Sequence, residues 1–256
     1  MKTIAFHSYK GGTGKTFLSV NLAALYAQEG KAVCLLDFDF RAPSLYALFD
    51  GKKPAYKLND FLDGKSELKP TMIEIRTESD WQGKLYVGFA DPTTEAMSKL
   101  LTRDRRWQMK ALRRTSASIK SIGQSLGLDY IIFDTSPGFE YSSINALLCS
   151  DVAAIVTTSD KSDIEGTIEM IKGVYKTLER KTGIIMNKVP TGNPSIKISD
   201  EMKERLQAHF KLPIIGMIPC HCDILCSPGH TIFIVENKTH PLAENIRKLS
   251  EKIQEF

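Results

Sequence analysis

The feature that most restricts the fold of this 256-residue chain is an apolar run that feeds a glycine-rich turn. Thr3-Ile4-Ala5-Phe6 reads as a buried strand, and Lys10-Gly11-Gly12-Thr13-Gly14-Lys15-Thr16 follows after three residues. A strand leading into a turn that ends Gly-Lys-Thr is the sequence form of a phosphate-binding loop. Successive backbone N–H groups, together with the positive end of the following helix, cradle the β- and γ-phosphates of a nucleotide. In that arrangement Lys15 reaches the β/γ oxygens and the Thr16 hydroxyl holds Mg²⁺. The usual spacing places a glycine five residues before the last one. Here Tyr9 occupies that position, and a second lysine, Lys10, comes next.

The rest of the chain repeats the same rhythm. Short apolar, β-branched runs at 3–7, 32–37, 85–89, 130–134, 152–157, 183–186 and 214–217 predict strands. Helical patterns lie at 16–28, 97–126, 162–178 and 199–210. Strands apolar on both faces, alternating with helices, predict an α/β fold in three layers, a mostly parallel sheet flanked by helices on both faces. No linker, repeat or low-complexity tract interrupts it, so residues 1–256 are expected to form a single domain. Ligands of such sheets bind at the carboxyl ends of the strands, where the polar motifs also fall.

Bulk properties agree with that class. A content of 42% hydrophobic and 25% charged residues is ordinary for a soluble globular protein. No run approaches the roughly 20 apolar residues of a membrane span, and no signal-peptide pattern opens the chain. Five cysteines, an odd count, suit a reducing interior better than a disulfide framework, so a cytoplasmic location is expected.

The stretch from Lys10 to Thr16, followed by Asn21-Leu22-Ala23, resembles the deviant phosphate loop of the ParA/MinD ATPases, a P-loop NTPase family. The resemblance continues through Leu35-Leu36-Asp37-Phe38-Asp39-Phe40-Arg41-Ala42-Pro43-Ser44-Leu45 and Ile131-Ile132-Phe133-Asp134-Thr135-Ser136-Pro137-Gly138. Ile185-Met186-Asn187-Lys188 and Ile215-Gly216-Met217-Ile218-Pro219 complete it. It implies a slow, partner-stimulated, Mg²⁺-dependent ATP hydrolase that closes into a homodimer in the ATP state. Lys10 would then reach the partner subunit's nucleotide, and the dimer would position or partition a DNA or protein cargo.

The resemblance also implies roles for single residues. Asp39 is the switch I acid that orients the attacking water, and Asp134 is the acid that holds Mg²⁺ with Thr16. Asp37, two residues before Asp39, lies on the same side of an extended strand end and supports the metal's water shell. Gly138 closes a switch II turn able to sense the γ-phosphate. Asn187 reads the base, and backbone from the Pro219–Asp223 loop finishes its pocket. Phe17 departs from the pattern, because the family usually carries a hydroxyl there to contact the α-phosphate. The backbone N–H of Phe17 remains available to the nucleotide. A lost hydrogen bond to a charged oxygen is worth roughly 1.5–3 kcal/mol, tenfold or more in affinity. The alternative is that Phe17 packs into the core and the helix sits differently.

Charge is distributed unevenly. Residues 103–120 hold seven basic residues against Asp104 alone, a local +6 that leaves the remainder at −2 of a formal +4. On a helix, Leu112, Thr115, Ile119, Ile122 and Leu126 share one face and the bases lie opposite. Acidic partners at i±4 are missing, so ion pairing along the helix does not explain the pattern. Arg103, Arg106, Lys110, Arg113 and Arg114 are therefore candidates to contact nonspecific DNA or an acidic protein. A membrane is the weaker alternative: the last helix carries Leu242, Ile246, Leu249 and Ile253 as a narrow stripe beneath a mixed-charge face.

A different class is suggested by Cys220-His221-Cys222, followed by Cys226 and His230. Such donors could hold Zn²⁺ or a shared iron–sulfur cluster, making the chain an ATP-dependent metal or cluster carrier. Against that, the spacing lacks the second Cys-x-x-Cys of a zinc ribbon, and cysteine commonly packs as a small buried hydrophobe. Cys34 and Cys149 lie in apolar runs and read as core.

Overall fold

The computed structural model describes residues 1–49, 53–75, 81–175, 178, 180–190, 200–221, 223–224 and 232–256. Its eight strands are β1 (Lys2–His7), β2 (Ala32–Phe38), β3 (Met72–Ile75), β4 (Lys84–Gly88), β5 (Tyr130–Thr135), β6 (Val152–Thr157), β7 (Lys181–Val189) and β8 (Ile214–Pro219). They form one sheet in the order β3-β4-β2-β5-β1-β6-β7-β8. Among the described residues only β3 runs antiparallel, on β4 at one edge. The sheet is therefore the doubly covered parallel sheet of the P-loop NTPase fold.

Its two faces are filled by alternate residues of the same strands, as the period-2 geometry of a strand requires. Ile4, Phe6 and Ile132 join one core, while Ala5, Ile131 and Phe133 join the other. On the first face lie α1 (Lys15–Gln28) and, at the chain's end, the helix Pro241–Glu255. The stripe Leu242, Ile246, Leu249 and Ile253 is buried there, which accounts for its narrowness. Short helices α2 (Leu45–Leu48) and α3 (Leu58–Asp63) follow β2. Then come α4 (Thr94–Leu101), α5 (Arg105–Leu126), α6 (Tyr141–Leu148) and α7 (Lys161–Met170). Helices α8 (Asp200–Phe210), α9 (Phe233–Glu236) and α10 (Pro241–Glu255) complete the chain.

Two helices differ from the periodicity. The expected single helix 97–126 is broken, because Asp104 accepts from the Trp107 N–H and starts a new helix at Arg105. The run 162–178 is α-helical only to Met170 and continues as a π-turn over Ile171–Tyr175. Strand β3 was not expected. Met72 and Ile73 are half-buried and Glu74 is exposed, so an edge strand leaves no clean alternation to read. Among the described residues no helix is long and apolar enough to cross a membrane.

Candidate nucleotide-binding site

The strand order brings the carboxyl ends of β1, β2, β5, β6, β7 and β8 to one edge, and the glycine-rich loop spans β1 to α1 across it. Gly12 (φ 77°) and Gly14 (φ 97°) adopt left-handed backbone that side-chain-bearing residues avoid. At Gly14 there is a second reason: an added Cβ would lie 2.3 Å from Asn187 Nδ2. No side chain caps the start of α1, so its first N–H groups are left for an anion. Two residues of β7 hold the loop from behind. Asn187 Nδ2 donates to Thr13 O at 2.8 Å, and Lys188 Nζ donates to Gly12 O at 2.8 Å.

Both lysines of the loop have partners. Lys15 is buried and its Nζ donates to Ser8 Oγ at 2.8 Å. Burial lowers its pKa, opposed by the charges of Asp134, Asp39 and Asp163. Lys10 points away from its own loop toward the start of α7. Its Nζ donates to Asp160 Oδ1 at 3.1 Å and to Ser162 Oγ.

The acids form a graded set. Asp37 and Asp134 are register partners on β2 and β5, and both are fully buried. Asp37 Oδ1 accepts from the Asp39 N–H at 3.2 Å, and its Oδ2 accepts from the Leu45 N–H at 3.4 Å. Burial and then the charges of Asp134 and Asp39 hold its carboxyl well above the usual range. Neither oxygen of Asp134 has a hydrogen-bond partner among the described residues. Burial pushes its carboxyl up to about 6. The hydroxyls of Thr16 and Ser19 and the Lys15 charge offset this in part, without either hydroxyl reaching hydrogen-bond geometry. A buried carboxylate with four vacant lone-pair directions, beside a hydroxyl and a phosphate cradle, is suited to a hydrated divalent cation. Asp39 sits farther out. Its Oδ1 accepts from Arg41 N, Ala42 N and Ser136 Oγ at 3.2, 3.0 and 2.7 Å. Gly138 (φ 75°) donates its N–H to Ser8 O at 2.8 Å, joining the turn after β5 to the phosphate loop.

The structure thus brings together Lys15, Thr16, Asp37, Asp39, Asp134 and Asn187, with Pro219 ending the neighbouring strand. Phe17 takes the packing alternative. Its ring lies 5.7 Å from Phe233 and against the core of the first face. Sequence reasoning missed Ser8, Lys188 and the Asp160–Ser162 pair. Asp160-Lys161-Ser162-Asp163 is a helix-start signature that could have marked the last of these. His7 was also missed. It is fully buried, with Nδ1 2.9 Å from Thr135 Oγ1, and burial drives its pKa down to about 3.

On α5, Ala111, Thr115, Ile119 and Ile122 are buried, while Arg105, Arg106, Lys110, Arg113 and Lys120 are exposed. Arg103 differs from them. It forms a 2.5 Å ion pair with Asp63 and lies over the Trp107 ring, and Arg114 is half-buried against Gly64. Cys34 is buried and Cys149 half-buried. Cys222, Cys226 and His230 lie outside the described residues.

A strand, a left-handed glycine turn, an uncapped helix start and an unpartnered buried acid on the neighbouring strand define a P-loop nucleotide-binding protein. Residues 4–228 match the CobQ/CobB/MinD/ParA nucleotide binding domain, and the chain belongs to that family. It is 26% identical over 252 residues to an uncharacterized ATP-binding protein of Methanocaldococcus jannaschii, covering 98% of this chain and 86% of that one. Similarity to the septum site-determining protein MinD of Bacillus subtilis is 25% over 235 residues, covering 90% and 80%. A ParA family protein of Chlamydia pneumoniae is 32% identical over 184 residues, covering 71% and 68%. Among solved structures, the cell division ATPase MinD of Pyrococcus furiosus superposes with a TM-score of 0.77 at 23% identity, covering 99% and 98%. MinD of Pyrococcus horikoshii complexed with Mg-ADP gives 0.75 at 23%, covering 98% and 95%. The named relatives among these are MinD and ParA family proteins, and the carrier reading built on Cys220, Cys222 and Cys226 is not favoured.

Proposed function

We propose that the chain is a Mg²⁺-dependent ATP hydrolase that acts as a switch, closing into a homodimer on ATP to position a cargo. The observation that carries this is the pair of unpartnered, buried Asp134 oxygens facing the uncapped start of α1. An ATP-binding relative and a neighbour complexed with Mg-ADP support the same ligands. Thr16 and Asp134 would hold the metal, with Asp37 fixing the loop that carries Asp39. Bound Mg²⁺ neutralises charge on the β- and γ-phosphate oxygens. Backbone N–H groups from Gly11 to Phe17 seat the phosphates, and Lys15 leaves Ser8 to meet them. Asp39, released from Ser136, orients the attacking water. Asn187 and Pro219 border the base. Lys10 exchanges Asp160 for the partner subunit's nucleotide. The exposed bases Arg105, Arg106, Lys110 and Arg113, with Arg114 at their margin, form the face offered to DNA or an acidic protein.

The test is binding of Asp39→Ala protein to nonspecific duplex DNA, with ATP and with ADP, across a salt series. ATP-dependent binding that weakens steeply with salt, by a log–log slope of roughly −0.9 per phosphate contact, supports a partition-type switch. Absence of DNA binding in both states moves the basic face to a protein partner. Separately, Lys15→Ala should abolish ATP binding, and normal affinity there would remove the loop from the site.

A further inference from the structure

Past the edge of the nucleotide site, the loop after β8 meets the start of α10. Here His221, Asp223 and His240 each place a ligand atom within 4.8 Å of the other two. His240 Nε2 lies 2.8 Å from Asp223 Oδ2, and the two imidazole rings are 5.0 Å apart at 63°. His221 is only 7% exposed, yet its Nε2 has no hydrogen-bond partner among the described residues. A buried imidazole beside a second imidazole and a carboxylate, with one of its ring nitrogens left unbonded, is an arrangement that ordinary packing leaves unsatisfied. Asp223 is exposed, so the cluster is open to water on one side.

We propose that His221, Asp223 and His240 form a binding site for a divalent transition-metal ion of the Zn²⁺ class, with water completing its coordination. Two neutral imidazole nitrogens and one carboxylate oxygen are a donor set that Zn²⁺ accepts in four-coordinate, partly open sites. Bonds of about 2.0–2.2 Å require the ligand atoms to rearrange around the ion, with Asp223 opening from its hydrogen-bond distance to His240, and Asp223, which is exposed, is placed to make that movement. The ion replaces the proton between His240 and Asp223. That proton moves to His240 Nδ1, which gives up the contact it now accepts from the Leu242 N–H at 3.1 Å.

The consequence is a latch. The ion fastens the loop after β8 to the last helix. Its influence extends inward, because His240 touches Phe233 at 5.1 Å and Phe233 touches Phe17 in the first turn of α1. The site uses none of the residues assigned to the phosphates. Its test does not depend on nucleotide, so it stands or falls separately from the switch.

The experiment is competition for Zn²⁺ between the chelator-stripped full chain and a chromophoric indicator, repeated with Co²⁺ for its spectrum. The comparison set is the unaltered chain, His221→Ala, Asp223→Asn and a triple variant Cys220→Ser, Cys222→Ser, Cys226→Ser. The site predicts binding of about one equivalent, unchanged within about twofold in the triple variant. Asp223→Asn and His221→Ala should weaken it by at least the roughly 10–100-fold that loss of an outer-shell partner costs a metal site. The Co²⁺ complex should lack the near-ultraviolet charge-transfer band of a thiolate ligand. Absence of binding by the unaltered chain, loss of binding in the triple variant, a thiolate band, or full affinity in Asp223→Asn and His221→Ala would each overturn it. Asp223 is exposed, and a matching thermal melt of its variant keeps misfolding from imitating ligand loss.

Discussion

Ser136 Oγ donates a 2.7 Å hydrogen bond to Asp39 Oδ1, tying the loop after β2 to the loop after β5 across the site. An ion pair, Arg41 with Glu140 at 2.8 Å, bridges the same two loops farther out. The acid proposed to orient water is therefore held by the loop proposed to sense the γ-phosphate.

Removing that tie should loosen one loop without emptying the site. Ser136→Ala is expected to leave ATP affinity within about threefold while lowering folding stability by about 1–2 kcal/mol. Amide exchange over residues 39–45 should quicken in the nucleotide-free protein. Denaturant melts and exchange mass spectrometry read the two effects, and unchanged exchange would show that Asp37 and the Arg41–Glu140 pair hold the loop without Ser136.

Asp134 makes stability depend on pH with a definite sign. Its carboxyl titrates near 3.8 when unperturbed and at about 6 in the fold. Between those values the native state binds more protons than the unfolded chain, so stability falls as pH rises from about 4 to about 6 and stays lower above. Asp134→Asn removes this contribution. The empty variant should be more stable than the parent above about pH 6, by about 1–3 kcal/mol, and equal to it near pH 3. Mg²⁺-dependent ATP binding should be lost in the same protein. Thermal melts across the range decide the matter: a parallel pair of stability curves would mean that Asp134 is not held neutral by burial.

Lys10 begins from an occupied position. Asp160 Oδ1 accepts from its Nζ and also from the Asp163 N–H that starts α7, and hydrogen bonds to Ser162 and Lys10 bring the Asp160 pKa down to about 2. Asp160→Asn keeps the helix cap and removes the charge that holds Lys10. ATP-driven dimerisation should then occur at lower protein concentration, by less than about tenfold because the pair is exposed. Sedimentation with a non-hydrolysed ATP analogue measures this, and an unshifted midpoint would mean that Lys10 does not enter the dimer.

Phe17 poses a trade between folding and ligand affinity. Phe17→Ser gives up the ring contact with Phe233 and supplies a hydroxyl where the phosphate loop meets α1. The expected result is a loss of about 1–2 kcal/mol in stability, less than the 3–5 of a fully buried Phe truncation because Phe17 is half-buried. ATP affinity should rise, by about tenfold if the new hydroxyl reaches a phosphate oxygen. Paired urea melts and nucleotide titrations test it. No gain in ATP affinity would mean that the ring also positions α1 for binding.

The parts of the fold that were legible share a physical cause. Buried parallel strands are apolar throughout, so seven of the eight strands among the described residues could be read from the sequence, while β3, half-exposed on an edge, could not. The helix 97–126 was misread because the apolar period continues across its break, and the local capping bond of Asp104 decides where one helix ends and another begins. The basic helix was legible as charge. That Arg103 turns to Asp63 depended on α3 being close by.

By itself, the sequence determined the parallel sheet, the phosphate loop and the residue types at the strand ends. Those follow from hydrophobic period and from glycine, lysine and carboxylate chemistry acting over a few neighbouring positions. Only the tertiary structure decided which of those groups are satisfied. Asp37 is bonded by backbone and Asp134 is not; Asn187 holds the loop; Lys10 rests on Asp160; and His221 meets His240 across 19 positions of chain. Hydrogen-bond satisfaction and burial arise between segments distant in sequence, and no local pattern records which partner will arrive.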